Sequence, residues 1–498
     1  MSSKNLKKLW KHYKGKGTFI LPEEVKERKR FLAYQIMCAK ANSGKGHFED
    51  AYQEEMDIVL SKLPLKLKPF QRIPVFIGYK CGIGAFYLTM GAGKTVIALS
   101  IIFLLQKLKN KGKNPLIVAP KSVLREWEDE HKRFFASKGH NLNITLTTYE
   151  SLHKVTKPID IVVFDESQKI KNPKTQLFEN AVKLIKKNKI KLRFTLTGTP
   201  DHNTLIDTFT QTIIPNPFSF QKSYSAIIKD YFYVLDMGQY QSIKPTKRAI
   251  TYFKQVLNKN SIILTKSQLK TESKYPVLTK KVGVDLNAKQ RKLLEVFQDE
   301  LEMALFASQM NVSQLKHALI KEVQISSGFL NLEEGKILNF PSQKLAVACE
   351  IIRRNILKNQ QIIVWVTLIK TGEKILHAFP HDAMFIHGQV PKKKRDAIIS
   401  AFKQGRFKIL VMQLKTGYFG LNLQFVNKMI FVEPDWNHSN IDQAIARCAR
   451  EGQTKPVIVY KMYSKETVEE YMWTVVENKA KISKQAVTSY FMTRVKKK

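Results

Sequence analysis

The sequence predicts an α/β protein with two parallel-sheet lobes, and three observations lead there. From Leu63 to about Pro217, short β-rich runs alternate with amphipathic stretches, the pattern of βαβ units on a parallel sheet. A second block of the same kind runs from Ser342 to about Lys481. Between them the alternation stops, and the chain reads as mainly helical, as in Ala288 to Ala307. The organisation expected is therefore a basic, helical N-terminal region over 1–62 with its main helix at Glu23 to Cys38, a first lobe over 63–217, a helical insertion over 218–340, a second lobe over 341–481 and a basic tail over 482–498.

In the first lobe the expected strands are Ala85 to Leu88, Leu116 to Ala119, Ile161 to Phe164 and Phe194 to Thr197. Each ends at a loop carrying Gly, Asp, Pro or Ser. Open α/β sheets bind ligands outside the carboxyl ends of their strands, so those loops are where function is sought. In the second lobe the expected strands are Ile362 to Val366, Met384 to Ile386, Ile409 to Met412, Met429 to Val432 and Val457 to Tyr460.

Composition narrows the partners. Lys and Arg number 83 against 42 Asp and Glu, a formal net charge of +41 in 498 residues. Such a surplus repels itself and is tolerated where a polyanion is the neighbour, nucleic acid first among them. The lysines are spread along the whole chain, which a solvated lysine-rich surface would also produce. The four cysteines, Cys38, Cys81, Cys349 and Cys448, have neither disulfide-framework nor zinc spacing, which points to a reducing, intracellular compartment. Lys4 to Lys16 is basic with no apolar core behind it, so no cleavable signal is expected. The apolar run Val96 to Leu105, interrupted by Ser100, is too short to span a bilayer. A soluble protein without membrane partners is expected.

Strand Ala85 to Leu88 leads into Thr89, Met90, Gly91, Ala92, Gly93, Lys94 and Thr95, and then into a helical run. Gly91 and Gly93 let backbone N–H groups curl around phosphate oxygens at a helix N-terminus. Lys94 is spaced to reach β and γ phosphates, and Thr95 to ligate Mg²⁺. Leu88 stands where the first glycine of the longer loop pattern is usual. Downstream, strand Ile161 to Phe164 delivers Asp165, placed to hold Mg²⁺, and Glu166, placed to orient and deprotonate an attacking water. Together these features imply ATP and Mg²⁺. Gln443, Arg447 and Arg450 recur at spacings of four and three, so one helix face would present them; a solvated basic flank has the same pattern.

These segments resemble the first lobe of helicase superfamily two, and within it the Swi/Snf-like ATPases. The resemblance rests on Met90–Thr95, on Asp165-Glu-Ser-Gln168 with Lys169 to Pro173, and on Leu196-Thr-Gly-Thr-Pro200. It implies two RecA-like lobes. Leu67 to Gln71 resembles the segment whose glutamine reads adenine, and Leu116 to Trp127 the segment that touches the nucleic-acid backbone; Thr148 and Tyr149 fall where a further backbone contact lies. Gln443 to Gln453 resembles the sixth motif, which makes Arg447 and Arg450 arginine fingers on the transferring phosphoryl group, with Gln443 beside the nucleotide. Ser342 to Leu345, Ile362 to Thr367, His387-Gly388 with Arg395, Thr416 to Leu423 and Trp436-Asn437 resemble further second-lobe motifs. The resemblance thus assigns nucleic-acid contacts to Lys121, Ser122, Thr148, Thr367, Thr416 and Trp436.

Three departures stand out. Gln168 replaces the usual histidine, which in the family couples the ATP site to the third motif, so coupling rather than hydrolysis is affected. Tyr418 and Phe419 stand where small residues are usual, and Ile262 to Lys266 lacks the family's arginine pair. The compact length and the form of Gln324 to Lys344 resemble shortened viral or phage members. The resemblance implies an ATP-dependent translocase or remodeller on duplex DNA, without sequence preference and with no oligomer required. The alternatives are a strand-separating DNA or RNA helicase, a transcription-associated NTPase partnered with a polymerase or replication complex, and a DNA-binding protein with a dead ATP site. A nucleus, nucleoid or viral replication site is the expected location.

Overall fold

The computed structural model describes residues 22–477 except 44–45, 90, 122, 199–204, 237–240, 266–267, 269–274, 307–311, 333–334, 415–422, 436–437 and 450–451. The chain divides into two compact units, Met1–Leu269 and Lys270–Lys498.

The first unit opens with α1 (Pro22–Asn42), α2 (His47–Leu60) and α3 (Pro69–Cys81), and continues through β1 (Ile83–Leu88), α4 (Lys94–Lys109), β2 (Pro115–Val118) and α5 (Leu124–Phe134). Next come β3 (Thr145–Thr147), β4 (Ile161–Asp165), α6 (Gln176–Lys187), β5 (Leu192–Thr197), α7 (Thr208–Ile213) and α8 (Tyr224–Tyr231). A small antiparallel pair, β6 (Phe232–Asp236) and β7 (Gln241–Pro245), precedes α9 (Lys247–Asn260) and β8 (Ile262–Leu264). Six strands form one parallel sheet in the order β3-β2-β4-β5-β1-β8. Alternate residues of a strand face opposite sides. Ile161 and Val163 accordingly enter one apolar cluster with α1 to α5, while Val162 and Phe164 enter another with α6. Covered on both faces, the strand is apolar throughout, which is why its run is legible in the sequence.

The second unit contains β9 (Val277–Val284), α10 (Ala288–Phe306), α11 (Val312–Ser326), the hairpin β10 (Phe329–Asn331) and β11 (Ile337–Asn339), α12 (Gln343–Leu357), β12 (Ile362–Val366) and α13 (Ile369–Ala378). It continues with β13 (Ala383–Ile386), α14 (Lys392–Lys403), β14 (Ile409–Gln413), β15 (Lys428–Phe431), α15 (His438–Ala446), β16 (Val457–Ser464) and α16 (Val468–Glu477). Its parallel six-stranded sheet has the order β13-β14-β12-β15-β16-β9. Ile363 and Trp365 of β12 face one core cluster, and Ile362, Val364 and Val366 the other.

One expectation needs correction. Residues 218–340 are not a separate helical insertion: β8 is the edge strand of the first sheet, and β9 is the edge strand of the second. Neither carried a strand signal for a physical reason. β8 is three residues long, and β9 (VLTKKVGV) is mostly exposed and lysine-bearing, as edge strands tend to be. The described part of 1–62 is helical, as expected, and packs on the first lobe. Phe31, Tyr34, Met37 and Cys38 of α1 lie in the first core, and Tyr34 Oη donates to the Asn260 carbonyl at 3.1 Å while accepting the Ala85 amide at 2.8 Å. Asn42 binds the Asn258 and Ser261 carbonyls through its amide nitrogen, at 2.9 and 2.7 Å, and accepts the Ile263 amide at 3.3 Å. Among the described residues no helix is long and apolar enough to cross a membrane.

Candidate active site

The glycine turn forms where β1 runs into α4. Gly93 caps the helix with φ +70°, a left-handed conformation that costs glycine nothing extra. A Cβ there would lie 2.5 Å from Gln71 Nε2, so a larger residue would have to displace that side-chain amide. Gln71, in the first turn of α3, donates from that nitrogen to the Ala92 carbonyl at 3.0 Å and accepts the Lys68 amide at 3.0 Å. The adenine-reading candidate is thereby docked on the glycine turn. Gly91 is also left-handed, with open space where a Cβ would be. Lys94 and Thr95 occupy the first turn of α4, both half-buried.

Asp165 and Glu166 end β4. Between β4 and β1 lies β5, whose terminal Thr197 pairs with Tyr87 while Leu196 pairs with Asp165. This order brings three loops to one edge of the sheet. Lys94 Nζ reaches Glu166 Oε1 at 3.2 Å. Glu166 Oε2 accepts Gln168 Nε2 at 2.8 Å, and Gln168 Oε1 accepts the Thr197 hydroxyl at 2.7 Å. Glu166 holds φ +50°, a region that side chains larger than glycine occupy at a cost, and its carboxylate is fixed from both ends. Gln168, in the place of the usual histidine, therefore joins Glu166 to Thr197 at the end of β5.

Asp165 is buried, and its carboxylate accepts Trp127 Nε1 at 2.9 Å on one oxygen and the Glu166 amide at 2.9 Å on the other. Burial pushes its pKa up to about 6, with help from the Glu166 charge; Lys94 and the two hydrogen bonds oppose the shift. Tyr149, buried below Thr148, donates its hydroxyl to the Asp165 carbonyl at 2.7 Å, so it faces the core rather than a ligand. Sequence reasoning missed both aromatic contacts, and no local pattern announces them.

Lys94, Thr95, Asp165, Glu166, Gly91, Gly93 and Gln71 thus belong to one edge of the first sheet. Lys121 is exposed on the loop after β2, and Thr148, whose hydroxyl accepts the Ser151 amide at 3.2 Å, follows β3. In the second unit, Thr367 follows β12, donating its amide to Glu433 Oε2 at 2.8 Å and its hydroxyl to the Pro434 carbonyl at 3.1 Å. Gln443 lies within α15. Arg447 does not share that helix. The helix ends at Ala446, and the Arg447 amide bonds the Ala444 carbonyl at 3.2 Å, three residues back. The Ala449 amide bonds the Ile445 carbonyl at 2.9 Å, four residues back. Ser122, Thr416, Trp436 and Arg450 lie outside the described residues, as do Tyr418 and Phe419.

The residues missed in the second unit are charged and buried. Glu433 accepts the Leu368 amide at 3.0 Å, the Ser327 hydroxyl at 2.8 Å and the Thr371 hydroxyl. Lys344 pairs with Glu469, both almost wholly buried.

Comparison with known proteins places these observations. The chain is 26% identical over 438 residues to YwqA of Bacillus subtilis, whose name describes an ATP-dependent helicase/translocase; the match covers 80% of this chain and 46% of YwqA. It is 26% identical to the chromatin structure-remodeling complex protein SYD of Arabidopsis thaliana, over 81% of this chain and 12% of that protein. It is 24% identical to the rat SWI/SNF-related matrix-associated actin-dependent regulator of chromatin subfamily A containing DEAD/H box 1, over 92% of this chain and 52% of the relative. The chain therefore spans about half the length of these relatives or less. A solved structure, the Sulfolobus solfataricus SWI2/SNF2 ATPase core in complex with dsDNA, matches at 26% identity and a TM-score of 0.39, covering 84% of this chain and 92% of that one. Residues 343–452 match the helicase conserved C-terminal domain. Residues 84–339, just over half of the chain, match the SNF2-related domain, and the chain belongs to that family, a Swi/Snf-like member of helicase superfamily two.

Proposed function

We propose that the protein is a nucleic-acid-dependent ATPase that moves along or remodels duplex DNA. The observation that carries the proposal is the chain of contacts from Lys94 through Glu166 and Gln168 to Thr197, three loops converging at the carboxyl edge of one parallel sheet. In the reaction, Glu166 orients a water and takes its proton as the water oxygen attacks the γ-phosphorus. The bond to the β–γ bridging oxygen breaks, leaving ADP and phosphate. Lys94 exchanges Glu166 for the β and γ phosphates, and the Gly91–Gly93 amides bind phosphate oxygens. Arg447 and Arg450 supply positive charge to the phosphoryl group, a role resting on the resemblance of Gln443 to Gln453.

The donor set fits Mg²⁺. Thr95 offers a hydroxyl and Asp165 a carboxylate, hard oxygen ligands of the kind Mg²⁺ takes one or two at a time beside substrate phosphates. Burial first, and the Glu166 charge second, raise the Asp165 pKa, while Lys94 opposes them, and a bound cation would favour the ionised carboxylate further. When bound, the ion neutralises charge on the β and γ phosphates.

Lys121, Ser122, Thr148, Thr367, Thr416 and Trp436 are the proposed nucleic-acid contacts. They address backbone rather than bases, so binding is sequence-tolerant and weakens steeply with salt. The +41 net charge agrees with a polyanionic partner. ATPase turnover measured across duplex DNA, single-stranded DNA and RNA tests the proposal, with third-strand displacement reporting movement without unwinding. Duplex DNA is expected to stimulate most, and Lys94→Ala and Glu166→Gln to abolish turnover. Greater stimulation by single strands or RNA would instead support the strand-separating reading, and turnover indifferent to every nucleic acid would end the motor proposal.

A further inference from the structure

Two buried aromatic side chains converge on Asp165 from the two first-unit loops to which nucleic-acid contact is assigned. Trp127 is the one fully buried residue of α5, a mostly polar helix that begins shortly after Lys121 and carries the exposed Arg125. Its indole N–H donates to Asp165 Oδ2 at 2.9 Å. An indole nitrogen only donates, so its partner must accept, and a carboxylate accepts best when ionised. Tyr149, next to Thr148, is 1% exposed and donates its hydroxyl to the main-chain carbonyl of the same aspartate at 2.7 Å. The strands that launch these loops, β2 and β3, are neighbours, and β2 lies beside β4, which carries Asp165. A shift of either segment thus has a rigid, hydrogen-bonded route to one residue, to its carboxylate through Trp127 and to its main-chain carbonyl through Tyr149. Packed interiors transmit such shifts because they do not deform freely.

We infer that Trp127 and Tyr149 are positioning residues: they hold Asp165 in its ligating orientation and couple nucleic-acid engagement at Lys121 and Thr148 to hydrolysis. The inference deepens the proposed function and rests on it. Trp127 and Tyr149 touch neither substrate nor nucleic acid; they act through Asp165.

The test uses the full chain with Tyr149→Phe, which removes one hydroxyl and little volume, and Trp127→Phe, which removes the indole N–H. Three quantities are measured: duplex affinity by anisotropy of a labelled duplex, the ratio of turnover at saturating duplex to turnover without it, and the Mg²⁺ concentration that half-saturates binding of a fluorescent ADP analogue. Trp127→Phe is expected to lower the ratio about tenfold, on the scale of one lost hydrogen bond to a charged group, and Tyr149→Phe about fivefold, on the smaller scale of one to a neutral carbonyl; both should raise the Mg²⁺ requirement. Duplex affinity should stay within about twofold of the parent, since backbone contacts are untouched. An unchanged ratio and Mg²⁺ requirement in folded Tyr149→Phe overturn the inference, as does a ratio that falls only in step with duplex affinity. If Trp127→Phe fails to fold, Tyr149→Phe decides alone. Parent turnover that ignores nucleic acid, or that survives Lys94→Ala, sinks the proposed function and this inference together. A responsive parent, a dead Lys94→Ala and indifferent aromatic variants sink this inference only.

Discussion

The Thr197 hydroxyl donates to Gln168 Oε1 at 2.7 Å, while the amide nitrogen of the same glutamine donates to Glu166 Oε2 at 2.8 Å. A glutamine amide has one end that accepts and one that donates, so it can bridge a hydroxyl and a carboxylate at once. Where a histidine is usual, the glutamine thus links Glu166 to Thr197 at the end of β5. Gln168→Leu is expected to lower nucleic-acid-stimulated ATPase turnover by about tenfold or more, the scale of a lost hydrogen bond to an ionised group, and Thr197→Val by about fivefold, the scale of a neutral one. Because both changes break one chain of contacts, the double variant should be little worse than Gln168→Leu alone. Additive losses in steady-state turnover would show that the two residues act separately.

The two glycines of the phosphate turn should respond differently. Both are left-handed, so alanine strains the backbone by about 1 kcal/mol at either place. Only at Gly93 does the new Cβ meet the Gln71 amide. Gly93→Ala is therefore expected to weaken ATP-analogue binding more than Gly91→Ala in a fluorescence titration. Equal losses would mean that Gln71 does not support the turn.

The Lys344–Glu469 pair makes a stability prediction. Removing one partner of a buried ion pair leaves an uncompensated charge, so Lys344→Met should cost about 3–5 kcal/mol in denaturant unfolding of the second unit. Lys344→Met with Glu469→Leu should recover most of that loss. A double variant as unstable as the single one would contradict this account.

The same pair predicts a pH dependence. Burial pushes the Glu469 carboxyl up to about 7, helped by nearby Glu433 and opposed by Lys344 and the Ser464 amide. The folded state therefore holds a proton that the unfolded state has released, and stability falls as pH rises between the ordinary glutamate range and about 7. The contribution is fully present below the unfolded value and is gone once the folded value is passed. The slope is at most roughly 1.4 kcal/mol per pH unit, and Glu469→Gln should abolish it in melts taken at successive pH values.

Tyr34 tests the place of the first helix. Tyr34→Phe leaves the Ala85 amide and the Asn260 carbonyl each short of a buried partner, and about 1–3 kcal/mol of stability should be lost. Unchanged stability would mean that α1 rests on the lobe without contributing to it.

Much of this molecule is legible in its sequence. Apolar strands such as Ile161–Asp165 and Ile362–Val366 are continuous runs because both faces of a parallel sheet are covered. The glycine turn and the Asp165–Glu166 pair are readable because their chemistry is written within a few consecutive residues. The edge strand β9 is not: it has one neighbour and an exposed, lysine-bearing face, so its pattern carries no strand period. Spacing alone puts Gln443 and Arg447 four residues apart; in the structure the helix ends at Ala446 and Arg447 lies in the turn that follows it.

From the sequence alone came the class of fold, the family and the residue types at the nucleotide edge, because each is a local property of contiguous chain. Tertiary structure alone decided that Trp127 and Tyr149 grip Asp165, that Gln168 reaches Thr197, and that Glu433, Lys344 and Glu469 sit inside the second unit. These partners lie 16 to 125 residues apart. A hydrogen bond of that kind depends on strand order and side-chain direction, and neither leaves a mark in the neighbouring sequence.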